Sequence, residues 1–136
     1  MASWNDWVTG PNGLINDQNE IHRAAIYGQD GTCWAEDKLQ CTKEEIMFVS
    51  NMFVTPQEAR QLGFCLGGER YKYIKEDTAE GGGGFGIVHA RNGSCPVTIF
   101  KTTSAIVIGI GKPDAVTGKV SVAVCKIGDT LTGFNF

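Results

Sequence analysis

Two histidines, five cysteines and a run of glycines are the residues of this chain best suited to chemistry. A metal site would need His22 and His89 together with carboxylates. Acid–base or nucleophilic work would need either ring beside a thiol or carboxylate, within hydrogen-bond reach. The thiols are Cys33, Cys41, Cys65, Cys95 and Cys125. Their number is odd and no CxxC pair occurs, which excludes a full disulfide framework and a standard zinc knuckle. No histidine sits at a diagnostic local spacing from a cysteine, although triads do assemble from distant residues. Gly81 to Gly84, followed by Phe85 and Gly86, resembles a phosphate-binding loop only at first sight. No Lys-Ser or Lys-Thr follows it, and the strand–turn–helix context is missing. The expectation is a surface hairpin loop, core-edge or solvated histidines and buried structural thiols, with no catalytic residue, metal ligand or cofactor.

The aromatic residues carry more information. Trp4 and Trp7 open the chain, Trp34 follows a turn, and Phe134 and Phe136 close it. If the two ends meet in the fold, these five rings share one surface. Plain packing is one reading of them. Recognition of a proline-rich peptide is the other. A polyproline helix is already stiff, so ordering it on binding costs little. Its flat faces suit rings, and its free carbonyls suit indole N–H donors.

Composition fits one domain over residues 1–136. At 42% hydrophobic and 20% charged, the chain is an ordinary globular sequence. Its net charge of −3 is uneven. Residues 1–83 hold 7 basic and 13 acidic side chains, residues 84–136 hold 5 and 2. The basic second half could face an acidic protein or an anionic membrane surface. It is too weak to be the footprint of nucleic-acid binding. The absence of a signal peptide or a long apolar run, with unpaired cysteines, points to a cytoplasmic chain with reduced thiols. Asn92-Gly93-Ser94 then reads as a turn rather than a glycosylation site.

These residues must be positioned by a recognisable order of elements. Ser3 can cap a short helix that holds Trp4 and Trp7 on one face, stopped by Gly10-Pro11. Residues 21–28 read as a strand, Asp30-Gly31 as a turn, and Thr32 to Ala35 as the return strand. Thr42 and Glu45 form a capping box for a helix burying Ile46, Val49 and Phe53. Thr55-Pro56 signals a second short helix, with proline at its first position and Gly63 at its end. Phe64 to Leu66 and Glu69 to Glu76 are strands around Gly67-Gly68. In the latter, Tyr71, Tyr73 and Lys75 alternate to one side, with Arg70, Lys72 and Ile74 on the other. Cys95 to Thr102, with Pro96 at its start, and Ser104 to Ile110 are the two most strand-like runs. A last helix from about residue 119 carries the stripe Val120, Val124, Ile127, Leu131. The fold class is therefore α+β. A central antiparallel β-sheet with helices packed against it is expected.

Across nearly its whole length the chain resembles the profilin family. Ser3-Trp4-Asn5-Asp6-Trp7-Val8 is similar to the family's start. Gly28-Gln29-Asp30-Gly31-Thr32-Cys33-Trp34-Ala35 is similar to its G-x-D-G-x-x-W-A hairpin. Arg70-Tyr71, Ile74, Arg91, Gly93-Ser94, Lys101-Thr102 and Gly109 follow its later strands. Lys126-Ile127-Gly128-Asp129-Thr130-Leu131 resembles its closing helix.

The resemblance implies that the N- and C-terminal helices pack together on one face of the sheet and the short helices on the other. It implies a monomeric protein of the cytoplasm and cytoskeleton that binds actin monomers and regulates their polymerisation. It also implies binding of proline-rich segments of actin regulators, and a response to phosphoinositides. Trp4, Trp34 and Phe136 match the family's peptide surface directly. Trp7 stands where another aromatic is usual, and Phe134 is a further candidate. Thr130 replaces a tyrosine of the closing motif, which removes contact area and a hydroxyl. Arg70, Lys75 and Arg91 align with basic positions of the actin face, and Lys119 and Ser121 border it. Val122 stands where a polar residue is common. The alternative is an adaptor of the same fold that binds proline-rich peptides with weak or no actin affinity.

Overall fold

In the computed structural model, residues 4–9, 13–15, 19–77, 86–102 and 104–133 are described, residues 4–6 and 77 by their backbone alone. Eleven elements are set out: α1 (Trp4–Thr9), β1 (Ile21–Gly28), β2 (Cys33–Asp37), α2 (Lys43–Met52), α3 (Gln57–Leu62), β3 (Phe64–Leu66), β4 (Glu69–Asp77), β5 (Ile87–Asn92), β6 (Cys95–Lys101), β7 (Ala105–Gly111) and α4 (Thr117–Gly133). The strands form one antiparallel sheet in the order β2-β1-β7-β6-β5-β4-β3. β7 is buried along its whole length because helices cover both of its faces. Its unbroken apolar run is what such a central strand requires.

One face carries the terminal helices. Val8 of α1 and Val120, Val124, Ile127 and Leu131 of α4 pack with Ala24, Ile26, Phe100 and Val107 of the sheet. Gly128 is essential to this contact. A Cβ there would lie 2.4 Å from ring atoms of the buried Phe100, so the helix can sit on that ring only at a glycine. The other face carries α2 and α3. Ile46, Val49, Met52 and Phe53 pack there with Phe64, Tyr71, Val97, Ile99 and Ile108. Phe64 and Tyr71 stack with ring centroids 6.1 Å apart. Each fully buried side chain of this size contributes about 1.5–3 kcal/mol of transfer free energy.

The capping box forms as its residues require. Glu45 N donates to Thr42 Oγ1 at 3.1 Å and Thr42 N to Glu45 Oε1 at 2.8 Å. The same carboxylate accepts from Gly67 N at 3.1 Å and Gly68 N at 2.9 Å, which ties α2 to the β3–β4 turn. The second helix starts differently from the expectation. Pro56 is its cap residue rather than its first turn, and the Thr55 hydroxyl donates back to Asn51 O at 3.3 Å. Pro56 O still accepts the first helical bond, from Arg60 N. The C-terminal helix begins at Thr117, slightly earlier than its apolar stripe. Pro96 sits near the start of β6, one residue before the ladder to β7 begins at Val97. Strand β5, between the glycine run and Asn92, is the element that the sequence reading did not delimit. Ser3, Gly10, Pro11 and the glycine run 81–85 lie outside the described residues.

Two further expectations are corrected. No disulfide joins the five cysteines, but none of them is buried; Cys33 is exposed and the other four are half-buried. Apolar strands and helices filled the core without them. The alternation along β4 also fails at Lys75. Tyr73 pairs with Ala90 and Lys75 with His89, so two steps on β4 meet one on β5. This bulge turns Lys75 away from the side of Tyr71 and Tyr73. Cross-strand partners share a face, so Lys75 joins His89 and Thr98 on the side covered by α4.

Candidate functional site

Two surfaces collect the residues singled out by sequence, and α4 runs between them. The first is aromatic. The turn that sets it is local: Gly28 N donates to Thr32 O at 2.7 Å, Gly31 N to Gly28 O at 3.0 Å, and Thr32 N to the Asp30 carboxylate at 3.0 Å. Gly31 has φ +94°, which a larger residue rarely adopts. β2 then leaves the turn with Trp34 lying on Gly28. A Cβ on Gly28 would approach Trp34 Nε1 to 3.1 Å and Asp30 Oδ1 to 2.8 Å. Helix α1 packs on β2 and β1. Trp7 and Trp34 are half-buried and both pack against the cluster that α4 shares. The first and last helices therefore pack on the same face of the sheet, with two indoles partly open to solvent. The side chain of Trp4, together with Phe134 and Phe136, lies outside the described residues. Thr130 turns its hydroxyl onto its own helix, donating to Lys126 O at 2.8 Å.

The second surface is basic and lies toward the opposite end of α4. Lys75, His89, Arg91, Thr117, Gly118 and Ser121 line a concavity of about 420 Å³, and no carboxylate among the described residues lines it. Ser121 is half-buried and Arg91 is exposed. Arg91 Nη2 donates to Thr117 Oγ1 at 3.4 Å. Arg91 also lines a neighbouring hollow with Arg60, Arg70 and Lys72. The structure thus groups Arg70, Lys75, Arg91 and Ser121 around one arginine. Lys119 stands aside, its ammonium 3.2 Å from Glu20 Oε2. Arg70 donates to Leu62 O at the end of α3. Lys72 and Arg60 were not singled out by sequence. Lys72 was legible as the alternate neighbour of Arg70. Arg60 was not, since α3 gives no sign of which strand it meets; it pairs with Glu76 and its guanidinium lies 5.9 Å from the Tyr73 ring centroid. Exposed Ile74, at the bulge, and Val122, on α4, add apolar surface.

The residues that could do chemistry do not converge. His22 is on β1 and His89 on β5, three strand spacings or about 14 Å apart. His89 is buried, its Nδ1 lying 3.4 Å from Thr98 Oγ1. Burial and the charge of Arg23 hold the His22 imidazole below its ordinary range. Burial also pushes the Cys41 thiol up to about 12 and raises the Cys33 thiol, which makes both poor nucleophiles near neutral pH. Among the described residues no group of three or more His, Cys, Asp and Glu is placed to hold a metal ion. No described helix is long and apolar enough to cross a membrane.

Comparison with known proteins identifies the fold. A family model described as Profilin matches residues 2–136. The crystal structure of Acanthamoeba castellanii profilin II is 29% identical, covers 98% of this chain and 100% of its own, and superimposes with a TM-score of 0.84. Acanthamoeba castellanii profilin IB is 26% identical at the same coverage and TM-score. Mouse profilin IIa, solved in complex with a double repeat from the FH1 domain of mDia1, is 18% identical, covers 99% of this chain and 100% of its own, and has a TM-score of 0.72. The chain belongs to the profilin family, a family of actin-binding, non-enzymatic regulators of the cytoskeleton.

Proposed function

We propose that this chain binds actin monomers through the basic surface and proline-rich segments of actin regulators through the aromatic one. It thereby regulates polymerisation as a monomeric protein of the cytoplasm and cytoskeleton. The observation that carries the reading is the separation of the two surfaces along α4. A helix of 17 residues is roughly 25 Å long. Arg70, Lys75 and Arg91 steer and pair with an acidic partner, with Ser121 at the floor, Lys119 at the border and Ile74 as an apolar contact. Trp4, Trp7, Trp34, Phe134 and Phe136 supply rings and indole donors for a polyproline helix. The mouse relative solved with an FH1 repeat supports this second assignment. The cations that would meet actin would also meet phosphoinositide headgroups, so lipid and actin compete.

Titration with actin monomers, with and without a proline-rich peptide, tests the reading. Independent saturation of the two ligands is expected. Competition between peptide and actin would refute two separate faces. Saturable peptide binding with no actin binding would establish the adaptor instead.

A further inference from the structure

We propose that the groove between α2 and α3 binds a short segment of a partner protein in which apolar residues are flanked by lysine or arginine. The groove shares no lining residue with the concavity beside α4, and it borders the neighbouring basic hollow along Leu62, Gly63 and Arg70. The inference does not depend on what the basic surface binds.

Shape is the first argument. α2 lends Glu44, Glu45 and Phe48 to the groove, α3 lends Glu58 and Leu62, and β3 lends Cys65. The walls are fixed before any ligand arrives. Glu45 holds α2 to the β3–β4 turn through the amides of Gly67 and Gly68. α3 ends hard against β4, where a Cβ on Gly63 would collide with Tyr71 O and where Arg70 donates to Leu62 O. A groove set in advance loses little on ordering when it binds. Leu62 is 61% exposed at its lip and Phe48 is half-buried within it. The space is about 280 Å³, just below the roughly 300–1,000 Å³ of pockets that enclose a small molecule. It suits one or two apolar side chains of a peptide.

Charge selects the flanks. Among the described residues, three carboxylates line the groove against one guanidinium. Glu44 and Glu58 are exposed, and their carboxylates make no hydrogen bond or ion pair with another described residue. The cations nearest to them in sequence are engaged elsewhere. Arg60 pairs with Glu76, and the Lys43 side chain lies against Gly31. The lining guanidinium, Arg70, is turned to the Leu62 carbonyl. An acidic segment would meet like charge on both walls, whereas a basic one pairs with a free carboxylate on each helix.

Titration of the ¹⁵N-labelled full chain with acetyl-Arg-Leu-Leu-Arg-amide tests the proposal. Saturable shifts of the Phe48, Leu62 and Cys65 amides are expected, with Trp7 and Trp34 unmoved. No saturable shift, or shifts confined to the indoles or to the basic surface, overturns it. Acetyl-Glu-Leu-Leu-Glu-amide should bind about tenfold more weakly, and so should acetyl-Arg-Ser-Ser-Arg-amide. Equal binding of the first refutes the charge argument, and equal binding of the second refutes the apolar anchor. Glu44→Gln with Glu58→Gln should weaken the basic peptide about fivefold, and Leu62→Ser about tenfold. All three side chains are exposed, so an unchanged amide spectrum outside the groove is expected of both variants. Unaltered affinity in either variant refutes the assignment of its residues. Shifts of the same amides on concentrating the protein alone would give the groove to a second copy of the chain, and would overturn the peptide as its occupant.

Discussion

The aromatic and basic surfaces are built by different means. Trp34 is placed by a turn closed within five residues and by the glycine it rests on. The basic surface is instead assembled from α3, β4, β5 and α4, and depends on a bulge that reverses one lysine. A locally built surface tolerates change elsewhere, whereas one gathered from four elements depends on their packing. The sheet separates them as well. β2 and β4 lie five strand spacings apart, about 24 Å. What joins them is α4, seated on Phe100 through Gly128.

Disturbing that seat should have the largest effect. Gly128→Ala places a methyl group inside the Phe100 ring contact, and overpacking of this kind costs about 1–3 kcal/mol. Urea denaturation should show the loss, and actin and peptide binding should weaken together; a change in only one would break the picture of α4 as the shared support. Next comes charge. Arg70→Glu with Arg91→Glu should lower actin affinity by roughly two orders of magnitude, about 3 kcal/mol over two charge-assisted contacts, and leave peptide affinity unchanged. Equal loss of both would point to misfolding or to a different actin surface.

Gly28→Ala addresses the aromatic end alone. It displaces the Trp34 indole and should weaken a proline-rich peptide about tenfold, with actin titration unaffected. Peptide affinity that survives would show that Trp34 is a packing residue. Thr130→Tyr should move affinity the other way, by a few-fold, because it restores a ring and a hydroxyl near the same surface. No gain would mean that the tyrosine is not missed. The smallest effect concerns pH. Burial, then Arg23, holds His22 below its ordinary value of 6.5. The unfolded chain therefore takes up this proton more readily than the folded one. Stability from this group is complete above pH 6.5 and declines as pH falls toward the depressed folded value. Denaturation at pH 7.5 and 5.5 should show that decline, and His22→Gln should flatten it.

Local signals in the sequence were enough for whatever short-range chemistry dictates. The capping box of Thr42 and Glu45 closes within one helical turn. The Asp30-Gly31 turn needs only a carboxylate and a residue tolerant of positive φ. The stripe Val120, Val124, Ile127, Leu131 needs only helical spacing. The family's short motifs carried the remainder of the fold class, including the placement of both terminal helices on one face. The direction of Lys75 was not legible, because a bulge arises from how two strands register with each other, and alternation along one strand contains no term for it. Strand β5 escaped delimitation for a related reason: its half-polar residues bury because β4 and β6 flank them. By propensity a glycine inside a helix such as Gly128 only weakens it; its role follows from Phe100, distant in the chain, lying beneath it. The grouping of Arg60, Lys72 and Thr117 with Arg91 likewise exists only after the sheet has formed. Spacing along the chain decided which residues could face the same way; contact between distant segments decided which of them meet.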